Sequence, residues 1–158
     1  MSRLPSLGSH GEGWVAIQVV LLIATVAAGV LGPAWGDPIR IATSVIGVAL
    51  VIGGLVLSIR GANDLSDALT PLPYPRDDAE LVESGIYAHV RHPIYGGLIL
   101  GAFGWGFLTA SLPALGLAFV LWGFFQLKSR REEAWLETRF PGYPAYRERT
   151  RRLIPWIG

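Results

Sequence analysis

The stretch 93–127, PIYGGLILGAFGWGFLTASLPALGLAFVLWGFFQL, carries no charged residue over its whole length of 35 positions. One helix of that length would be about 52 Å long, against a hydrocarbon core of roughly 30 Å. TASLP, Thr109 to Pro113, sits in its middle and offers a turn. The run therefore reads as a tight helical hairpin, with legs at about 94–110 and 113–128. Each leg is short for a bilayer, so little tilt or some local thinning is expected.

Outward from this run, the same pattern recurs. Gly13 to Gly36 and Ile41 to Ile59 also lack charge. Roughly 18 or more consecutive apolar residues read as a membrane span. Only 16% of the 158 residues are charged, against about 25% in soluble domains. The expectation is an all-α integral membrane protein with four transmembrane helices, at about 14–31, 39–59, 94–110 and 113–128. They would form a single domain, 1–158. Trp14 and Trp35 would anchor the first span at the interfaces. No A-x-A-like site ends that segment, so a span is expected there and not a cleaved leader.

The charges collect between and after the spans. Arg60 to Arg91 holds three arginines, six acidic residues and the turn-rich TPLPYP. The last residues, from Lys128 on, are charged and aromatic and should form an amphipathic helix and an interfacial tail. Of thirteen lysines and arginines, Arg40 alone falls in a loop on the far side. The positive-inside rule then places both termini and the middle loop in the cytoplasm, for a multi-pass protein of the inner (plasma) membrane.

The absence of cysteine excludes disulfides, zinc–thiolate sites and thiol nucleophiles. His10, His89 and His92 are too scattered for a metal site, so no metal is expected. No nucleic-acid partner is expected either.

The densest polar cluster, GIYAHVRHPIYGG (Gly85–Gly97), opens the third span. Proline suits a first helical turn, so Pro93 would begin the helix with Arg91 and His92 at its N-terminus. Free N–H groups and the helix dipole favour an anion there, and snorkelling anchorage is the plainer reading. Gly97 and Gly101 form a GxxxG pair, read first as helix packing and alternatively as close approach of a ligand to backbone. After the hairpin comes KSRREE, Lys128–Glu133. Lys128, Glu132 and Leu136 share a helix face. Glu133, about 100° further round, would pair with surface arginines.

These two clusters, in this order across a helical hairpin, resemble the isoprenylcysteine carboxyl methyltransferase family and the related phospholipid N-methyltransferases. The matching stretches are LVESGIYAHVRHPIYGG and EEAWLETRFPGYPAYRERTRRLIP, within about Ala79 to Pro155. The first two spans carry no motif. The resemblance implies S-adenosylmethionine as methyl donor, bound at the cytoplasmic face over the ends of the last two spans. Ala79, Glu80, Leu81, Val82, Tyr87, His92, Pro93, Ile94, Tyr95 and Glu132 would line it. His92, Arg91 and Glu132 are expected to carry the chemistry, with Arg91 and His92 on the donor's carboxylate and Glu132 on its ammonium or a ribose hydroxyl. Lys128 stands where relatives place a substrate-contacting arginine. The acceptor would be a lipophilic small molecule or lipid-modified group from the bilayer, foremost an isoprenylcysteine-like carboxylate. Phospholipids, amines and thiols are the alternative acceptors. The rival readings are an NADPH-dependent steroid-reductase-like enzyme and a non-catalytic membrane scaffold.

Overall fold

The computed structural model describes residues 5, 7–66 and 80–154. Among them, five α-helices follow in order: α1 Glu12–Leu31, α2 Ile39–Leu65, α3 Pro93–Leu108, α4 Leu112–Arg139 and α5 Tyr143–Arg149. A short 3-10 helix, Gly85–Ala88, precedes α3. No strand occurs among the described residues. The protein is all-helical, and α1, α2 and α4 are each long and apolar enough to cross a membrane. With 16 residues, α3 rises about 24 Å, less than the roughly 30 Å core.

The long apolar run is divided at Thr109–Ser111, inside TASLP. Ser111 caps α4, its hydroxyl accepting from the Ala114 N–H at 3.3 Å, and Pro113 falls in the first turn. The same hydroxyl donates to the Ala28 carbonyl of α1 at 2.9 Å, and the Trp35 N–H donates to the Ala110 carbonyl. The loop between α1 and α2 is thereby tied to the turn between α3 and α4.

Two elements run further than their apolar segments. α2 continues past Ile59 to Leu65, and α4 continues past Lys128 to Arg139 without interruption. The charged segment expected to form an amphipathic helix is the last turns of α4. KSRREEAWLETR is composed of good helix formers with no Gly or Pro. Phe140-Pro141-Gly142 stops it.

The packing between α2 and α3 rests on glycine. Gly47, Gly54 and Gly61 recur every seven residues on α2, and Gly97 and Gly104 do so on α3. A Cβ at Gly54 would lie 2.5 Å from the Gly97 carbonyl oxygen, and one at Gly47 would lie 2.7 Å from that of Gly104. The two backbones are in contact. Gly97 thus serves packing, and Gly101 offers its backbone nitrogen to the same seam, 2.9 Å from the Gly54 Cβ position.

The other side of α3 packs on α4, and α1 packs on α4 and α3. Trp14, Ile99, Ala102, Leu121, Phe124, Phe125 and Leu153 form the apolar core. Trp14 packs inside, 5.7 Å from the Phe124 ring, with its indole N–H on the Pro5 carbonyl. Val20, Val30, Leu31, Ile41 and Val45 point outward and stay exposed. Helices apolar on every face suit a lipid surround.

Candidate active site

The approach to α3 is shaped by its own sequence. Gly85 has φ +59°, and a Cβ there would strike the Asp64 carboxylate. A residue with a side chain is therefore strained and blocked at once. Asp64 Oδ2 accepts from the Ile86 N–H at 2.6 Å, which holds the 3-10 helix on the end of α2. The Tyr87 hydroxyl donates to the Gly61 carbonyl at 3.2 Å, and that of Tyr146 donates to the Tyr87 carbonyl at 2.8 Å. Burial, first of all, pushes the Tyr87, Tyr143 and Tyr146 phenols well above their ordinary range. They stay neutral, and Tyr87 and Tyr146 donate as described.

The segment before α3 is clasped by the C-terminal stretch. The Arg91 N–H donates to the Arg151 carbonyl at 2.8 Å, the His92 N–H to that of Arg152 at 2.9 Å, and the Arg151 N–H to that of His89 at 2.9 Å. Gly96 makes room for this clasp, since a Cβ there would overlap the Leu153 carbonyl.

Two carboxylates from α4 meet this segment in different ways. Glu133 is buried, and its Oε1 accepts from Arg91 Nε at 2.9 Å, His92 Nε2 at 3.2 Å and Arg152 Nε at 3.3 Å. Burial alone would raise its pKa, but the hydrogen bond and charge of His92 and the Arg91 guanidinium outweigh this and hold the carboxyl at about 2. Glu132 faces α3. Its Oε2 accepts from the Tyr95 hydroxyl at 2.9 Å and lies 3.7 Å from His92 Nδ1. Its side chain is 23% exposed where that of His92 is 5% exposed. His92 stacks on Tyr95 with ring centroids 5.4 Å apart and an interplanar angle of 4°. Lys128, fully buried, places Nζ 4.9 Å from the centre of the Tyr95 ring.

Of the residues singled out in the sequence, His92, Tyr95 and Glu132 come together, with Lys128 beside them. Pro93 is buried under Gly61, and Ile94 is half-buried. Glu80 is exposed, Leu81 and Val82 are half-buried, and all three lie in the irregular lead-in to the 3-10 helix. Ala79 and Pro155 lie outside the described residues. Arg91 is engaged within the protein. Besides Glu133, its Nη1 donates to the Arg147 carbonyl at 3.0 Å and the Thr150 carbonyl at 2.5 Å. It joins the C-terminal stretch to α3.

Sequence reasoning placed Glu133 with surface arginines. The structure places it at the centre of a buried cluster instead, because the segment before α3 and the C-terminal stretch close over that face of α4. Gln18 on α1 was also missed. It donates nothing visible to a motif, yet its Oε1 accepts from Lys128 Nζ. An amide inside an uncharged span was the available signal.

Comparison with known proteins bears on this cluster. The family described as phospholipid methyltransferase matches residues 42–142. The protein-S-isoprenylcysteine O-methyltransferase of Schizosaccharomyces pombe is 40% identical over 51% of this chain and 35% of its own length. The cobalt-zinc-cadmium resistance protein CzcN of Cupriavidus metallidurans is 32% identical over 77% of this chain and 51% of its own. The nickel-cobalt-cadmium resistance protein NccN of Alcaligenes xylosoxydans is 30% identical over 90% of this chain and 62% of its own. The chain thus spans between a third and two thirds of the length of these relatives.

Proposed function

The chain belongs to the phospholipid methyltransferase family and is related within it to the isoprenylcysteine methyltransferases; on that premise we propose that it is a membrane methyltransferase using S-adenosylmethionine, with a lipophilic carboxylate of the isoprenylcysteine kind as acceptor. The observation that carries this reading is the convergence of His92, Tyr95 and Glu132 from the two motif segments.

The residues present fit the donor. Both contacts of Glu132 fall on Oε2, which leaves Oε1 for a ligand ammonium or ribose hydroxyl. The first N–H groups of α3, at Ile94 and Tyr95, suit a carboxylate. When bound, S-adenosylmethionine supplies a methyl group already activated for displacement. The chain's own part is positioning and exclusion of water. His92, held between two carboxylates and stacked on Tyr95, is fixed in place as a binding element. A carboxylate acceptor needs no general base. Lys128 stands ready to face the acceptor's negative charge. The reading includes four spans, with α3 as the short third, and a donor-binding part over about 79–155. Both termini and the site face the cytoplasm from the inner (plasma) membrane.

Calorimetry with S-adenosylhomocysteine in lipid nanodiscs tests the donor site, and methylation of membrane extracts followed by mass spectrometry names the acceptor. Absence of S-adenosylhomocysteine binding would remove the reading. A part in metal resistance is a second reading, favoured by the two metal-resistance relatives and their coverage of this chain. Growth of a deletion strain on cobalt, zinc and cadmium addresses it.

A further inference from the structure

Gln18 lies two turns into α1, within a segment that carries no charged side chain. An amide at that depth needs a protein partner. Gln18 finds it in Lys128, whose Nζ donates to its Oε1. An ammonium has three donors and no acceptor, so its place in a buried setting is set by the acceptors within reach. The same Nζ sits over the face of Tyr95, and the Tyr95 hydroxyl holds Glu132 Oε2. Glu132 is one turn beyond Lys128 on the same face of α4. The contacts form one relay: Gln18 of α1, Lys128 of α4, Tyr95 of α3, Glu132 of α4.

We propose that Gln18 is a positioning residue of the methyl-donor site, anchoring Lys128 over Tyr95 and so keeping the Glu132 carboxylate free for its ligand. The inference rests on the reading of Glu132 given above. Without the amide oxygen, the ammonium is drawn to the carboxylate one turn away. Glu132 then turns from Tyr95 toward Lys128, and its ligand-facing oxygen is lost. The first helix, which carries none of the family's motif residues, is in this way part of the site.

The test is calorimetry with S-adenosylhomocysteine on the full chain in nanodiscs, using Gln18→Met, Gln18→Glu, Lys128→Met and the Gln18→Met/Lys128→Met pair. Gln18→Met keeps the length and removes the acceptor. It should weaken binding about tenfold, the scale of one hydrogen bond to a charged group. Gln18→Glu retains an acceptor at the same reach and should rescue affinity. In the Lys128→Met background, Gln18→Met should add no further loss, because the residue acts through the ammonium. Thermal unfolding of each ligand-free variant separates folding from binding. Should Gln18→Met fail to fold, Gln18→Glu and the double variant still decide the matter. Wild-type affinity in Gln18→Met, failure of Gln18→Glu to rescue, or losses that add in the double variant would each overturn the inference alone. Wild-type protein that binds no S-adenosylhomocysteine would overturn the functional reading, and this inference with it.

Discussion

The Tyr95 hydroxyl donates to Glu132 Oε2 across 2.9 Å, joining the first turn of α3 to α4. Neighbouring Glu133 points into a different environment, among Arg91, His92 and Arg152. The pair Glu132–Glu133 is thus two residues with separate duties, and substitution should part them.

Glu132→Gln should keep the fold and weaken S-adenosylhomocysteine binding by about tenfold to a hundredfold, since a hydrogen bond to a charged group contributes about 1.5–3 kcal/mol. Calorimetry on the two proteins measures this. Equal affinities would refute the assignment.

Glu133→Gln should act on stability first. It removes the counter-charge of a buried arginine, which typically costs about 3–5 kcal/mol. The pH dependence has a definite sign. The Glu133 carboxyl is depressed from 4.5 to about 2 in the fold. Its stabilising contribution is therefore complete above the unfolded value and fades as pH falls from about 4.5 toward 2. Thermal unfolding against pH should show a decline in that window that is absent in Glu133→Gln.

His92→Ala should raise the apparent constant for S-adenosylmethionine and leave turnover at saturating donor little changed. The opposite view makes His92 the base for a neutral acceptor. That view requires a large loss of turnover, with a pH profile governed by one group near about 6.5. Turnover against pH for both proteins separates the two.

Gly54→Ala and Gly53→Ala differ by one position on α2 and should differ in sign. The first places a Cβ 2.5 Å from the Gly97 carbonyl, and the second meets nothing within 4 Å. Forcing the seam apart should cost about 1–3 kcal/mol, whereas Gly53→Ala should be neutral or stabilising by up to about 1 kcal/mol. Unfolding in nanodiscs reads both.

Cysteines introduced at Asp37 and Ser66 lie at opposite ends of α2. With an impermeant thiol reagent on intact cells, Asp37→Cys should label and Ser66→Cys should not. The reverse pattern would invert the proposed topology.

Much of this protein was legible along the chain, because membranes impose a one-dimensional rule. A segment that cannot satisfy a charge in lipid must lack charge over a bilayer's thickness. The helices, the break at TASLP and the start of α3 at Pro93 followed from that rule and from local turn chemistry. The site residues His92, Tyr95 and Glu132 were named by another route, the resemblance of the two motif segments to the methyltransferase family.

What only the tertiary structure decided was which polar groups share a partner. Glu133 and Arg91 are 42 positions apart, and Gln18 and Lys128 are 110 apart. No periodicity links such pairs, because they depend on how closely three helices approach. Backbone contact at Gly54 and Gly97 sets the approach of α2 to α3, and the room Gly96 leaves for Leu153 lets the C-terminal stretch close on α3. A glycine shows in the sequence as a missing side chain, and the atom that fills the space comes from elsewhere in the fold. Burial then made the difference between two adjacent glutamates. One is enclosed by cations that keep it ionised, and the other is left partly open beside a tyrosine.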